Sequence, residues 1–316
     1  MTLFVPVPHG DDPEITEPLG IEVGATYTLT AADGITAVFN DPTSSAFVGY
    51  LTDISGLDSA EIRENADLLT AADGAVHGPF YLGRRPITIS GVIAASGAED
   101  RNLAITRLQR AANALRADAT LQWQTTSGMP VELRLRQSEP VRITGLQPKQ
   151  FMLGLVAADP RVYATESTAS SMAGAAAATK KQYPSLKPNP RVTDPWDAQL
   201  IIQTKGSSGT PASYQIRGPL QRQSSTLGWQ IYNATTNTLI ESAPDTAANI
   251  AAGATVTINT DDATVTHSTE GNWYGLLNFT ATEFTPLAAG TNDLRFFGTA
   301  TTSTTGYLAE WNDAWL

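Results

Sequence analysis

Short apolar runs separated by turn residues extend along almost the whole of this 316-residue chain, and only one stretch has helical periodicity. In residues 86–93 apolar and polar side chains alternate with a period of two, and the same alternation recurs in residues 131–136. That period places every second side chain on the same face of a β-strand. The sequence therefore predicts a mainly β protein.

The one predicted helix follows the strand at residues 86–93. Ser96 and Glu99 have the spacing of a capping box, in which the hydroxyl and the carboxylate each satisfy a free backbone amide. Apolar residues then recur at helical spacing: Ile105, Leu108, Ala112 and Leu115. This stripe is typical of a helix face that packs on a sheet.

A change of composition divides the chain. Residues 167–179 are almost wholly Ala, Ser, Thr and Gly, and four prolines follow up to Pro195. We therefore predict an N-terminal extension (1–20), a first domain (21–165), a linker or extended arm (166–195) and a second domain (196–316). The first domain is predicted to be a β-sandwich or barrel-like domain with one helix. The second, with regularly spaced short strands and no helix, is predicted to be a jelly-roll β-sandwich.

Charge is unevenly distributed along the chain. The formal net charge is −11, and the acidic balance argues against a protein that grips nucleic-acid phosphates. Thirteen acidic residues and one basic residue precede Tyr81, whereas residues 84–161 hold eleven basic and six acidic residues. Two interpretations stay open: two solvated surfaces of opposite sign, or a head-to-tail association of copies through complementary patches.

Several classes of function lack support in the sequence. The chain has no cysteine, which excludes disulfides and thiolate metal sites, and its three histidines lie far apart. No catalytic or nucleotide-binding motif is present, so we expect no enzyme activity, no cofactor and no metal. The N-terminus has no signal-peptide pattern and no apolar run approaches the ~20 residues that span a bilayer, so we expect synthesis without export and no membrane insertion.

The order of landmarks in the first half resembles the distal tail protein (Dit) family of long-tailed bacteriophages. An Arg-led strand at residues 85–91 is followed by the helix, by paired strands, and by a closing segment, Asp159-Pro160-Arg161-Val162-Tyr163. In the second half, residues 250–260 and 284–296 and the Trp311 strand are similar to the galectin-like jelly roll of the same family. The resemblance covers roughly residues 20–316 and implies a tail-tube-like ring domain followed by a galectin-like domain.

That resemblance implies a structural protein of the virion, located at the distal end of the phage tail. It implies a homohexameric ring that acts as an assembly hub in the tail tip or baseplate, with a channel through which DNA passes without specific binding. The implied partners are the tail tube protein, the tape measure protein, and hub or receptor-binding proteins.

We expect acidic residues to line the channel or meet basic surface on the neighbouring subunit. The candidate acidic residues are Asp53, Asp58, Glu61, Glu64 and Asp67. The candidate basic interface residues are Arg84, Arg85, Arg107, Arg134 and Arg136.

An alternative function is a carbohydrate-binding module attached to an assembly domain. Trp273 and Tyr274, which follow a turn at Glu270-Gly271-Asn272, are the weak candidates for sugar contacts, at the start of a predicted strand over residues 274–281. The competing interpretation, which we prefer, is that the tryptophans fill the core or a subunit contact.

Overall fold

The computed structural model describes residues 24–57, 62–63, 66–68, 75–77, 81–112, 118–145, 148–173, 198–222, 224–300 and 305–316. The chain divides into two compact units. The N-terminal unit contains the described residues up to Glu166 together with Trp315 and Leu316. The C-terminal unit contains the described residues from Ser167 to Ala314. The predicted N-terminal extension, residues 1–20, lies outside the described residues.

Twelve strands and one helix form the N-terminal unit. The strands are β1 (Tyr27–Thr30), β2 (Thr36–Phe39), β3 (Phe47–Ser55), β4 (Ile62–Arg63), β5 (Ala66–Leu68), β6 (Ala75–His77), β7 (Tyr81–Leu82), β8 (Arg85–Ile93), β9 (Ala119–Gln124), β10 (Pro130–Thr144), β11 (Gln150–Ala157) and β12 (Val162–Ala164). Helix α1 (Ala98–Ala112) lies between β8 and β9.

Seven of these strands close into a barrel, in the order β11-β8-β3-β2-β1-β9-β10 with β10 returning to β11. Closure depends on the length of β10, which has 15 residues. Its first half pairs with β9 as far as Leu135, and its second half pairs with β11 from Arg136 onward across two register shifts. A closed sheet of this kind has no free edge among its paired strands.

The barrel core follows the predicted alternation. On β10, Val131, Leu133 and Leu135 are fully buried, whereas Arg134 and Arg136 are exposed on the outer face. Helix α1 packs against β1, β2, β3, β8 and β10. Leu108 on its inner face is completely buried, as its position in the apolar stripe predicts. The mainly β prediction is confirmed.

The start of α1 differs from the predicted capping box. The Ser96 hydroxyl donates to Asp100 Oδ2 at 2.6 Å, one residue beyond the expected Glu99. Because Asp100 lies in the first turn, its carboxylate still places negative charge near the positive end of the helix dipole.

The C-terminal unit is a β-sandwich. Its strands are β13 (Thr168–Ala173), β14 (Ala198–Thr204), β15 (Ala212–Arg217), β16 (Leu220–Gln221), β17 (Gln230–Asn233), β18 (Thr238–Glu241), β19 (Thr255–Asn259), β20 (Thr264–His267), β21 (Gly271–Asn272), β22 (Gly290–Phe297), β23 (Thr299–Ala300) and β24 (Gly306–Trp311). The six-stranded sheet has the order β13-β24-β15-β19-β20-β21, and the four-stranded sheet has the order β14-β22-β17-β18. Strands β16 and β23 form a separate pair.

One core joins the two sheets of the sandwich. Phe296 of β22 and Tyr307 of β24 come from different sheets, and their ring centroids lie 4.4 Å apart. Trp229, which is also fully enclosed, donates its indole N–H to Ala248 O at 2.8 Å. Satisfying that donor allows a large ring to be buried without an unpaired polar atom.

Three segments differ from their predicted roles. Residues 168–173, predicted to belong to a linker or extended arm over residues 166–195, form β13 and pair with β24. Residues 174–195 of that predicted segment lie outside the described residues. Strand pairing uses backbone hydrogen bonds, so a segment rich in small Ala and Ser side chains can form a strand. The predicted strand at residues 274–281 begins instead with a 3₁₀ turn, Tyr274–Leu276. Trp315 is expected in the second domain, residues 196–316. It ends the last strand, β25 (Ala314–Trp315), and its side chain is buried in the core of the N-terminal unit.

The Asn292 side chain organises the segment 284–296. Its side-chain N–H groups donate to Ala288 O at 2.9 Å and Gly290 O at 3.2 Å, and its Oδ1 accepts from Ala288 N and Asn233 Nδ2. Gly290 adopts a φ of +86°, which favours glycine. The buried amide therefore holds the chain reversal that leads into β22.

Replacing Asn292 with Ala is expected to destabilise the C-terminal unit by about 2–4 kcal/mol, because several buried groups lose their partners at once. Urea unfolding followed by tryptophan fluorescence measures this change. Asn272→Ala is the matched control, since Asn272 is exposed and accepts one bond from Tyr274 N. Equal stability of the two variants would contradict the structural role of Asn292.

Candidate interface surfaces

The acidic candidates are only partly described. Asp53 lies on β3 beside a β-bulge, because Leu51 pairs with Gly91 and Asp53 pairs with Ser90. The extra residue leaves Thr52 and Asp53 both exposed. Asp58, Glu61 and Glu64 lie outside the described residues, and Asp67 lies in β5 with no described side chain.

The basic candidates fall into three environments. Arg84, which immediately precedes β8, is exposed, and Arg134 and Arg136 project from the outer face of β10. Arg107 is half-buried, and its Nη1 donates to Ser45 O at 2.7 Å. This bond attaches α1 to the loop between β2 and β3.

Arg85 differs from the other basic candidates because its side chain is 0% exposed. Its Nη1 donates to Leu57 O at 2.6 Å inside the N-terminal unit. A neighbouring subunit could not reach it, so Arg85 is removed from the candidate interface residues. The alternation of side chains on β8 explains this burial, because Arg85 lies on the same face of the strand as Ile87 and Ile89, which point into the core.

Surface ion pairs neutralise part of the basic surface within the protomer. Arg136 Nη2 lies 2.7 Å from Asp118 Oδ1, and Arg142 Nη2 lies 2.9 Å from Glu139 Oε2. Exposed pairs of this kind contribute little to stability, about 0–1 kcal/mol.

Asp53 and the arginines of β10 lie on well-separated strands. Strands β8 and β11 separate β3 from β10 in one direction, and β2, β1 and β9 separate them in the other. With strands about 4.8 Å apart, the shorter path is about 14 Å. Charges this far apart on an exposed surface are largely screened from one another. The two candidate surfaces therefore do not neutralise each other across the barrel wall.

A groove with both polar and apolar lining, and two exposed apolar side chains, lie next to Arg107. This groove, of about 420 Å³, runs between α1 and the β2–β3 loop, with Phe47, Leu103 and Arg107 in its lining. Leu103 is 59% exposed, and Tyr50, which packs edge-on against Phe47 at 5.2 Å, is 47% exposed. The helical pattern did not single out Leu103, because it lies off the predicted core stripe.

The closing segment at residues 159–163 is a local ion-pair network. Arg161 Nε and Nη2 donate to the two carboxylate oxygens of Asp159 at 2.9 and 3.0 Å, and the Tyr163 hydroxyl donates to the same carboxylate. Burial alone would raise the pKa of Asp159, but the hydrogen bonds from Arg161 and Tyr163 hold that pKa below its usual value. These residues stabilise the turn between β11 and β12 rather than form a binding site.

Asp159→Asn is expected to destabilise the protein by about 1–2 kcal/mol at pH 7, because the bidentate charged pair is lost. A depressed folded-state pKa contributes stability above the unfolded pKa of about 3.9 and loses it as pH falls through the folded value. The difference between wild type and variant should therefore stay constant above about pH 5 and shrink in stronger acid.

Chemical denaturation over a series of pH values measures this difference. Asp118→Asn, which removes an exposed ion pair with Arg136, is the control and should change stability by less than about 1 kcal/mol. A difference for Asp159→Asn that persists unchanged at pH 2 would contradict the assignment.

The two sugar-contact candidates separate in the structure. Trp273 is 4% exposed; it stacks on His267 at 4.2 Å and donates its indole N–H to Glu270 Oε2 at 3.0 Å. A sugar ring could not reach its face, so Trp273 is removed as a candidate. The next residue, Tyr274, is 40% exposed and contacts Phe279 and Phe284.

The other described tryptophans are also enclosed. Trp123, Trp229, Trp311 and Trp315 are all buried, as the preferred interpretation of these residues expects. Within the described ranges, no group of three or more His, Cys, Asp or Glu side chains is arranged to hold a metal ion. In the same part of the chain, no helix has the length and apolar character needed to cross a membrane.

No protein-family model and no curated protein matches the chain. Among solved structures, the chain matches the Dit protein of phage SPP1, described as a paradigm of the hub adsorption apparatus in phages that infect Gram-positive bacteria. The TM-score is 0.62 at 10% identity, and the match covers 92% of this chain and 99% of that chain. The chain has the fold of a distal tail protein.

The phage P2 baseplate, solved in its activated conformation with Ca and with Sr, supplies two further matches. Each has a TM-score of 0.50 at 12% identity and covers 90% of this chain and 97% of the other. Both matches, like that to SPP1 Dit, include the N-terminal and C-terminal units. At this identity the likeness concerns the Dit-like fold, and residue roles must come from this chain's own geometry.

Proposed function

We propose that this chain is a structural protein of a phage tail tip that forms a homohexameric ring at the distal end of the tail tube. The observation that carries the proposal is the match to SPP1 Dit over nearly the full length of both chains. A likeness that extends over both units is more specific than the likeness of one β-sandwich to another, since such sandwiches serve many functions.

The separation of charge on the N-terminal unit supports a head-to-tail ring. Asp53 and the Arg134–Arg136 face occupy different parts of the barrel wall, as a heterologous interface requires. The exposed apolar side chains Leu103 and Tyr50 add surface that association would remove from water. In the proposed ring, Arg84, Arg107, Arg134 and Arg136 belong to the basic side of the contact.

The remaining acidic candidates, together with Asp53, face the channel or the neighbouring subunit in this proposal. A channel surface rich in carboxylates and poor in lysine repels phosphate, so DNA passes without being held. The ring would connect the tail tube and tape measure proteins to hub or receptor-binding proteins, and the chain would be made in the host cytoplasm and incorporated into the virion. We propose no enzymatic role.

The ring proposal predicts an oligomer near six times the 33.5 kDa chain mass. Light scattering or mass photometry of the full chain at low and high salt measures it. The double substitution Arg134→Glu and Arg136→Glu should weaken assembly by about tenfold or more, because like charges would then face each other. Arg217→Glu, at an exposed position of the C-terminal unit, is the control and should assemble normally.

Two results would contradict the proposal. One is a strict monomer at high concentration that also fails to assemble with purified tail proteins. The other is electron microscopy of phage particles in which antibody to this chain labels a site away from the tail tip.

The channel proposal predicts that the full chain does not retard duplex DNA in a mobility-shift experiment at about 0.15 M salt. We expect no binding because the carboxylates of the proposed channel surface repel the phosphates of DNA. Retention of DNA by the assembled ring at this salt concentration would contradict a repulsive channel.

A further inference from the structure

The segment from Trp273 to Phe284 presents three aromatic side chains at the surface of the C-terminal unit. Tyr274 and Phe279 have ring centroids 5.0 Å apart, and Tyr274 and Phe284 have centroids 6.1 Å apart with planes inclined by 13°. Phe279 is 54% exposed, while Phe284 is half-buried and packs against the sandwich core. We call these three residues the aromatic platform.

Backbone hydrogen bonds fix the segment that carries the platform. Ala243 N donates to Leu276 O at 2.7 Å, Asn278 N donates to Glu241 O at 2.8 Å, and Glu283 N donates to Leu239 O at 2.7 Å. These bonds attach both ends of the segment to β18 and the residues after it. The exposed rings therefore belong to a loop whose backbone is hydrogen-bonded to the sandwich at both ends.

A buried carboxylate reinforces this attachment. Glu241 is buried, and its carboxylate accepts from Asn278 Nδ2 at 2.9 Å and from Gln230 Nε2 at 2.9 Å. The Thr282 hydroxyl adds a bond to Glu241 O at 3.1 Å. Burying a carboxylate is costly unless its oxygens are hydrogen-bonded, so loss of this network would be unfavourable and the loop stays attached to β18.

The chemistry around the platform limits what it can bind. No Lys, Arg or His occurs between residues 268 and 291, while Glu270, Asn272, Thr280 and Glu283 have exposed side chains there. The segment itself carries two exposed carboxylates and no cation, so it offers phosphate little attraction, which disfavours nucleic acids and anionic polymers. Three partly exposed rings also offer far less than the roughly 800 Å² per partner of a stable protein interface.

We propose that the aromatic platform binds one neutral hexose or N-acetylhexosamine unit of a glycan. The apolar C–H face of the sugar ring packs on Tyr274 and Phe279, while hydroxyl groups of the sugar bond to the amide and carboxylate side chains beside them. A held loop lowers the entropy lost on binding. This activity goes beyond the proposed ring and does not depend on it.

The test uses the full chain on an array of defined neutral oligosaccharides of glucose, galactose, mannose, N-acetylglucosamine and N-acetylgalactosamine, with saturation-transfer NMR on those that bind. Wild type is expected to bind at least one of them. Tyr274→Ala and Phe279→Ala should each weaken that binding by about tenfold, whereas Tyr274→Phe should retain it, because stacking uses the ring. Ile201→Ala, an exposed apolar position of the same unit, is the control and should bind as wild type.

The proposal is overturned if wild type binds none of these saccharides at millimolar concentration, or if binding survives both Tyr274→Ala and Phe279→Ala. Unfolding experiments confirm that each variant is folded before it is scored. Since both substitutions lie in the C-terminal unit, oligomer mass measured on the same samples separates this result from the ring proposal. Loss of saccharide binding with assembly intact supports the platform alone.

Discussion

The double pairing of β10 is the interaction on which the N-terminal unit depends. One strand bonds to β9 with its first half and to β11 with its second, and this joins the two ends of the sheet into a barrel. Closure removes free edges that would otherwise invite uncontrolled association. In the proposed ring, contacts with other copies would then use side chains on the outer wall and on α1, where charge and shape select the partner.

Much of the barrel could be predicted from the sequence, because alternation with a period of two is a direct consequence of strand geometry. It correctly placed Leu133 and Leu135 inside and Arg134 and Arg136 outside. The same rule, applied to β8, would have placed Arg85 with Ile87 and Ile89 on the inner face. The interface prediction missed this because it weighed the charge of Arg85 above its position in the strand.

The aromatic platform could not be predicted in the same way. Tyr274 and Phe279 are five residues apart, so in a strand their side chains would face opposite sides of the sheet. The 3₁₀ turn at Tyr274–Leu276 and the bonds to Glu241 bring the two rings together instead. Tertiary hydrogen bonds to β18 decide this conformation, and no local pattern in residues 274–284 reveals them.

The burial of Trp315 has a consequence for how the protein is made. Among the described residues, the chain leaves the N-terminal unit after Glu166 and contributes to that unit again only at Trp315 and Leu316. A ribosome adding about 5–20 residues per second needs roughly 7–30 seconds to cover the intervening stretch. Throughout that interval the barrel core lacks one of its large aromatic side chains, so the first unit to be synthesised is the last to acquire its complete core.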